Sequence, residues 1–325
     1  MATDFCQKPG VNNQVCCRPS RIFHSVSPLM TQPTIADTCF ELDGFSLLSV
    51  TGEDAARFLQ GQLTCDVRTL NPTRASIAAF CNAKGRVISV LTLIERDGEF
   101  VLILPRSLLT KVYDKLRMYV LRSKVTLTPD PEHLQLVGLQ ITAADAHQPP
   151  LPTADFGVLQ AGIIWVKLPG GQRYFGLLEQ GKAAADDLSG TMAEWRYLDI
   201  SAGLPWFDEA QSEQHIPQTL NLDALGGISF EKGCYTGQEI IARTHYLGKA
   251  KRCLGLAECN ADMTTHADLA ILSASDAVRV GDIVAMQTHQ QTCRLLVAFH
   301  SADDMAKCLI LNDAANSPVR IIPFQ

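Results

Sequence analysis

The sequence predicts an α+β protein with a small antiparallel β-barrel at its C-terminal end. Before Arg252, apolar runs with the period of strands alternate with runs that have the period of helices. After Arg252 the helical period disappears, and about six short strands separated by polar turns indicate a small closed barrel. These strands are predicted at residues 253–258, 269–272, 283–287, 293–299, 307–311 and 319–322.

The first half of the chain is predicted to contain a strand-rich layer with two helices. Strands are predicted at residues 45–50, 76–81, 87–94 and 100–104, and helices at residues 53–59 and 106–119. Thr51 is expected to cap the first helix, and Gly85 supplies the turn between the second and third strands. The second helix is amphipathic, and its inward face is predicted to consist of Leu108, Leu109, Val112, Leu116 and Tyr119.

A proline-rich break at residues 148–152 separates this part from the next one. Beyond the break, residues 163–168 and 173–178 are predicted as paired strands around a Pro-Gly-Gly turn. Helices are predicted at residues 180–188 and 192–201. Residues 1–35 contain Pro, Ser, Asn and Gln without periodicity, so we expect a poorly ordered leader there.

The stretch at residues 226–252 combines a turn, a helix start and a local excess of positive charge. Residues 228–230 are predicted as a short buried strand and residues 232–235 as a turn. Thr236 and Glu239 have capping-box spacing, so Thr236 is predicted to cap a helix that ends near Gly248, in a left-handed conformation. Five cationic residues face two carboxylates in this stretch, whereas the whole chain has a net charge of −6. A local cationic site on an acidic protein suggests an anionic ligand.

Cys234 lies in this turn and is the reactive residue that the sequence singles out. Lys232 and the unpaired N–H groups of the helix start would both favour its thiolate over its thiol. The same N–H groups could instead hold a carboxylate or a phosphate. The simpler alternative is a buried, inert cysteine beside a solvated cationic helix face. His245 is about two helical turns further on, so a Cys–His pair is unsupported.

Composition narrows the class of protein. A chain of 325 residues with 46% hydrophobic and 19% charged residues is typical of a globular protein with two or three domains. No apolar run approaches the roughly 20 residues that span a bilayer, and no signal peptide is visible, so we expect a cytoplasmic protein without membrane contact. The eleven cysteines are scattered, odd in number and without a C-x-x-C pair, which predicts reduced thiols and assigns no metal ligand.

Five separated motifs resemble one known family. Residues 232–239, KGCYTGQE, match the K-G-C-Y-x-G-Q-E signature of the YgfZ family, folate-binding proteins related to the T-protein (aminomethyltransferase) of the glycine cleavage system. The other four motifs are similar to family patterns at residues 52–66, 116–125, 194–205 and 215–222, with His215 in place of a Phe. The resemblance covers roughly residues 40–325.

The resemblance implies a T-protein-like architecture in which residues 36–247 form two intertwined α/β portions around a folate cavity, and residues 248–325 form the barrel. It implies tetrahydrofolate as the ligand, because two family tryptophans associated with folate match Trp195 and Phe45, where Phe loses the indole N–H. Core packing is the alternative role for Trp195. The motif places Cys234 as the catalytic residue at the edge of that cavity, and adds further folate-binding candidates: Lys232, Tyr235, Gly237, Gln238 and Glu239.

By resemblance, the function is folate-dependent support of iron–sulfur enzymes, including the tRNA methylthiotransferase. Cys234 could act there as a nucleophile, a redox-sensitive thiolate or a transient ligand to iron or sulfur. The alternative is a folate-dependent one-carbon transferase or demethylase, but residues 87–93 carry no carboxylate to activate an aminomethyl donor. Direct tRNA binding through Lys249, Lys251 and Arg252 is a third hypothesis. No RNA-binding signature supports it, so the role in tRNA modification is expected to be indirect.

Overall fold

The computed structural model describes residues 37–142, 151–179, 188–248, 251–260 and 269–325. Residues Pro33–Gln325 form one compact unit. The leader predicted at residues 1–35, most of the break at residues 148–152, the helix predicted at residues 180–188 up to residue 187, and Lys249 lie outside the described residues. No described helix has both the length and the hydropathy that crossing a membrane requires.

The strands and helices of the described residues follow in chain order. The strands are β1 Asp37–Glu41, β2 Phe45–Thr51, β3 Ser76–Cys81, β4 Val87–Arg96, β5 Glu99–Pro105, β6 Thr126–Pro129, β7 Leu134–Ile141, β8 Val158–Ala161, β9 Ile163–Leu168, β10 Arg173–Glu179, β11 Cys253–Cys259, β12 Ala270–Ser273, β13 Arg279–His289, β14 Thr292–Phe299, β15 Leu309–Leu311 and β16 Pro318–Ile322. The helices are α1 Ala55–Gln60, α2 Leu109–Val120, α3 Met192–Ser201 and α4 Gln238–Leu247.

The first sheet has the strand order β3-β4-β5-β2-β6, with every neighbouring pair antiparallel. It contains the four strands predicted before residue 105, and Gly85 makes the predicted turn with a φ of 67°. Residues 87–94 of β4 are buried without alternation, so both faces of this strand are covered. β4 therefore forms the centre of the core in this part of the molecule.

The second sheet has the order β1-β7-β10-β9-β8 and is also antiparallel. Among the described elements, β1 belongs to this sheet, β2 to β6 build the first sheet, and β7 to β10 return to the second one. The paired strands predicted near residues 163–178 are confirmed as β9 and β10. Four further strands, β1, β6, β7 and β8, were not predicted. β6 and β8 have four residues each and are partly exposed, so they lack a clear apolar period.

The barrel predicted after Arg252 is confirmed. Its six strands close in the order β11-β14-β13-β12-β15-β16 around their own apolar core. Helix α3, predicted at residues 192–201, is confirmed and has a full capping box between Thr191 and Glu194. Tyr197 of α3 contacts His289 at a ring-centroid distance of 5.3 Å, and the guanidinium of Arg294 lies 4.5 Å from the Tyr197 ring. These contacts join the barrel to the rest of the chain.

Three local predictions are wrong. Thr51 does not cap α1, because it is the last residue of β2 and pairs with Thr126. Residues 228–230 do not form a strand, because their described contacts are loop contacts such as the bond from the Ser229 N–H to the Thr64 carbonyl. Tyr119 of α2 is 42% exposed, because the buried stripe of this helix repeats every four residues and continues through the partly buried Val120.

Candidate functional site

The KGCY loop, residues 228–237, is held to the body of the protein by the ammonium group of Lys232. This side chain is buried, and its Nζ donates hydrogen bonds to the carbonyl oxygens of Leu63 (2.8 Å) and Cys65 (2.7 Å). The Nζ atom also lies 4.9 Å from the centroid of the Tyr235 ring. Burial lowers the pKa of Lys232 to about 8. Lys232 is therefore an internal clamp between the KGCY loop and the segment that follows α1.

Cys234 is exposed and has a free thiol. The alternative of a buried cysteine is therefore wrong for this residue. The neighbouring ammonium of Lys232 donates to backbone carbonyls in the interior and not to the Cys234 sulfur, so the predicted pairing of these two side chains is not formed. Burial raises the pKa of the Cys65 thiol to about 11, and that of the Cys81 thiol rises further for the same reason. Among these three thiols, only that of Cys234 is open to a reaction partner.

Helix α4 begins at Gln238, and Gly237 is its N-cap with a φ of 85°. Thr236 is not the cap, because its hydroxyl donates to Gln62 Oε1 at 3.3 Å and no side-chain cap bond is formed. A Cβ atom on Gly237 would lie 2.6 Å from the Asn82 carbonyl oxygen and 2.9 Å from the Gly85 Cα. Only glycine tolerates both this positive φ and this close contact with Asn82 and Gly85. Gly237 therefore allows the start of α4 to pack against the β3–β4 turn.

The remaining motif residues are placed around the start of α4. Gln238 is half-buried and Glu239 is exposed. The helix ends at Leu247 as predicted, but Gly248 is extended, with a φ of −149°, and not left-handed. The exposed side of α4 carries Ile240, Tyr246 and Leu247. The motif thus presents one exposed thiol beside a short, partly apolar helix.

Phe45 and Trp195, which are far apart in the sequence, lie in one aromatic cluster between the two sheets. Phe45 contacts Phe175 at 5.4 Å and Trp206 at 5.6 Å, and Trp195 contacts Phe40 at 5.0 Å and Phe175 at 5.9 Å, as ring-centroid distances. Trp195 is completely buried, and a Cβ on Gly138 would approach its ring to 2.7 Å. The structure thus shows Trp195 packed in the core, and contact between this ring and folate stays a prediction.

A buried ion pair lies beside the cluster. Arg173 donates to Asp199 Oδ1 at 2.6 Å, and its guanidinium lies 5.1 Å from the centroid of the Trp195 ring. Burial raises the pKa of the Asp199 carboxyl to about 6, although Arg173 acts in the opposite direction. Three fully buried polar atoms here have no hydrogen-bond partner within the described part of the chain: Trp195 Nε1, Trp206 Nε1 and Asp199 Oδ2.

Sequence reasoning did not single out Arg173, Asp199 or Trp206. One signal was available for Asp199, because it lies four residues after Trp195 on the same helix and therefore on the same face. An acidic residue on the buried face of a helix needs a partner, which predicts a buried cationic side chain such as an arginine. Arg173 gave no local signal, since its position at the start of β10 becomes significant only when α3 packs against that strand.

No protein-family model matches this chain. A tRNA-modifying protein YgfZ from Shigella sonnei (strain Ss046) is 38% identical over 264 residues, which cover 76% of this chain and 80% of the relative. A tRNA-modifying protein YgfZ from Escherichia coli O127:H6 (strain E2348/69 / EPEC) gives the same identity and coverage.

A solved structure has the same fold at low sequence identity. The glycine cleavage system aminomethyltransferase T from Bartonella henselae superposes with a TM-score of 0.71 and 15% identity, covering 89% of this chain and 86% of that protein. At this identity the likeness establishes the shared fold, and function has to be argued from the site. On its fold and its identity to these relatives, the chain belongs to the YgfZ family.

Proposed function

We propose that this protein takes part in tRNA modification, as a folate-binding accessory protein that supports iron–sulfur enzymes such as the tRNA methylthiotransferase. One observation carries the tRNA part of the proposal: the 38% identity over 264 residues to proteins that are themselves named tRNA-modifying. The exposed Cys234 and the aromatic cluster support the finer parts.

The aromatic cluster supports a folate ligand by its chemistry. A pterin is flat and has both donors and acceptors at its edge, so its site needs aromatic surfaces and unpaired polar groups. The cluster offers the rings of Phe45 and Trp206, two buried indole N–H donors and the free Oδ2 of Asp199. Unpartnered buried polar atoms are costly in a folded protein, and a ligand that pairs with them would remove that cost. The residues present therefore fit tetrahydrofolate.

The KGCY loop supports the proposed role of this protein in maintaining iron–sulfur enzymes. Lys232 fixes the loop from inside, while Cys234 is exposed, so a large partner can reach it. A thiolate at this place can ligate an iron ion of a damaged cluster, a step that replaces one ligand of the metal by another and changes no oxidation state. Because Lys232 is anchored in the interior, its part in this scheme is to position the loop and not to contact the partner.

One-carbon transfer remains the alternative, and the structure adds nothing in its favour. Residues 87–94 of β4 are buried and contain no carboxylate, so this buried part of the strand offers no group to hold or deprotonate an amine. Turnover of a methylamine donor with formation of methylene-tetrahydrofolate would be the evidence for this alternative.

The role in tRNA modification is tested by complementation. A bacterial strain that lacks its own YgfZ receives the wild type, Cys234→Ala or Cys308→Ala, and methylthiolated nucleosides are measured by mass spectrometry. Cys308 is the matched control, because it is also an exposed free cysteine but lies in the barrel. We expect the wild type and Cys308→Ala to restore the modification and Cys234→Ala to fail. If the wild type fails to restore it, the proposed function is wrong; if Cys234→Ala restores it, the role of this thiol is wrong.

Folate binding is tested by calorimetric titration with tetrahydrofolate. Trp195→Phe and Trp206→Phe keep a ring but remove the indole N–H, and Trp165→Phe is the control because Trp165 is partly exposed and outside the cluster. We expect a loss of roughly 1 to 3 kcal/mol of binding free energy for a cluster tryptophan that donates to the ligand, and none for Trp165. The absence of binding to the wild type would refute the folate part.

A further inference from the structure

A second charged feature lies outside the KGCY loop and the aromatic cluster. An open cleft of about 870 Å³ runs between the β3–β4 turn, the segment at residues 210–219 and the edge of the barrel. Five cationic side chains and two carboxylates line it: Lys84, Arg86, Lys251, Arg252, Arg279, Glu213 and Asp282. The chain as a whole has a net charge of −6, so this excess of positive charge is local.

Both carboxylates in the cleft are already shared between two cations. Asp282 binds Arg252 at 2.6 Å and Arg279 at 2.8 Å. Glu213 binds Lys111 at 3.3 Å and Lys115 at 3.7 Å, from outside the lining of the cleft. Each carboxylate therefore leaves one positive charge uncompensated, and the cleft stays cationic after its ion pairs are counted.

Two lysines and one arginine add charge without an ion pair to any described residue. Lys84 and Lys251 are exposed and have no carboxylate partner among the described residues. Arg86 is also exposed, and its guanidinium donates to the Gln214 carbonyl at 2.8 Å, which keeps its charge while fixing its position. Cations that are held in place but not neutralised are those that can receive the oxygens of an anionic ligand.

The walls of the cleft are built rigidly. The Asn82 side chain accepts from the N–H groups of Lys84 and Arg86 at 2.9 and 3.0 Å and donates to Glu213 at 2.6 Å. Glu213 has a φ of 67°, which is strained for a residue with a side chain. Strain of this kind persists where the surrounding structure enforces it, and it is concentrated at functional sites.

The shape and lining of the cleft favour an extended polyanion over a small molecule. Small-molecule sites are enclosed and mostly apolar or aromatic. This cleft is open, and among the described residues that line it only His215 is aromatic. His215 is buried and neutral, because burial lowers its pKa to about 4. Without exposed rings to stack on bases, the contacts available are those between cations and phosphates.

We propose that this cleft binds the sugar–phosphate backbone of an RNA, through Lys84, Arg86, Lys251, Arg252 and Arg279. That the RNA is a tRNA rests on the proposed function. The contact does not depend on the base sequence of the RNA, and it positions the RNA on this protein while the modifying enzyme acts. The cleft is assembled from three segments of the chain, which explains why no linear RNA-binding signature is present.

The test is fluorescence anisotropy with a labelled, unmodified tRNA transcript in a salt series from about 50 to about 200 mM, where phosphate contacts lose affinity steeply. The cleft variant is Lys84→Glu with Lys251→Glu. The control is Arg117→Glu with Arg122→Glu, which makes the same change in net charge at exposed residues that do not line this cleft. We expect the wild type and the control to bind alike. The cleft variant should bind at least about tenfold more weakly, with a slope of log K against log salt that is smaller by about 2.

Three results would overturn the proposal. They are no binding of tRNA by the wild type at the lowest salt, equal losses in the two variants, or a slope that the cleft variant does not change. The complementation assay is run on the same variants to separate this proposal from the proposed function. If the cleft variant fails to restore tRNA modification while the wild type binds no RNA, the cleft serves an acidic protein partner. The RNA proposal is then wrong, although the role in tRNA modification stands.

Discussion

Replacing Lys232 by methionine gives the sharpest test of the interior clamp. Methionine has a similar length, but it cannot donate to the carbonyl oxygens of Leu63 and Cys65. Each orphaned acceptor costs about 1 to 3 kcal/mol, and loss of the contact with the Tyr235 ring costs up to about 2 kcal/mol. In the opposite direction, the variant no longer buries a charge. We therefore expect Lys232→Met to be less stable than the wild type by about 1 to 3 kcal/mol at pH 7.

The pH dependence of the stability difference between the wild type and Lys232→Met separates the cost of burying the charge from the loss of the Lys232 contacts. The pKa of Lys232 falls from 10.5 in the unfolded chain to about 8 in the folded protein. Between these two values the unfolded chain binds more protons than the folded one, so the unfolding free energy of the wild type rises with pH. The full shift corresponds to about 3 kcal/mol, because one pKa unit is worth about 1.4 kcal/mol. Lys232→Met lacks this gain, so the gap between the two proteins should widen by about 2 to 3 kcal/mol from pH 7 to pH 10.

The assay is urea unfolding followed by tryptophan fluorescence, at pH 7 and pH 10, with reducing agent present. Other groups titrate in this range, but they do so in both proteins and cancel in the difference. Lys251→Met is the control, since Lys251 is exposed and its surroundings change little on unfolding. A gap that stays constant or narrows as the pH rises would show that the Lys232 ammonium is not buried in the folded protein.

Three further predictions concern the Arg173–Asp199 ion pair, the packing of α4 against the β3–β4 turn, and the accessibility of the thiols. Asp199→Asn should lower the unfolding free energy by about 3 kcal/mol, measured by urea unfolding, because it leaves the Arg173 guanidinium buried without its carboxylate; a loss below about 1 kcal/mol would contradict this. Gly237→Ala should cost more than about 1 kcal/mol through its φ of 85° and its approach to Asn82, whereas Gly233→Ala, whose Cβ would meet nothing within 4 Å, should cost little by the same measurement. Equal losses of unfolding free energy in the two variants would show that α4 does not pack against the β3–β4 turn as described. In the native protein, iodoacetamide should modify Cys234 and Cys308 but not the buried Cys65 and Cys81 until urea is added, as read by peptide mass spectrometry; early labelling of Cys81 would contradict its burial.

The strands that the sequence predicted well are those with clear runs of apolar residues. The six barrel strands and β2 to β5 contain such runs, and the structure has them within a few residues of the prediction. Helix α3 was also predicted, although its buried residues include Asp199 and Ser201. The wrong predictions are of another kind. Thr236 and Thr51 have the residue type and spacing of helix caps. In the structure, however, Thr236 donates a hydrogen bond to Gln62, and Thr51 pairs with Thr126 in the sheet. A capping residue competes with every other partner within reach, and the sequence does not show those partners.

The candidate site was predicted in the same uneven way. The motif around Cys234 identified the exposed thiol and the family, because both depend on residues that are adjacent in the chain. The partner of Lys232 was predicted wrongly, because a lysine beside a cysteine in sequence was assumed to lie beside it in space. Its actual acceptors are about 170 residues away along the chain.

The sequence by itself determined the class of fold, the closed barrel, the family and the thiol on which the proposed function centres. These follow from local periodicity and from a contiguous motif. Only the tertiary structure decided that Phe45 and Trp195 share one cluster, that Asp199 meets Arg173, and that cations from three distant segments line one cleft. The physical reason is that contacts between residues distant in the chain are determined by the packing of whole sheets and helices. The sequence pattern around each residue does not indicate its distant partner.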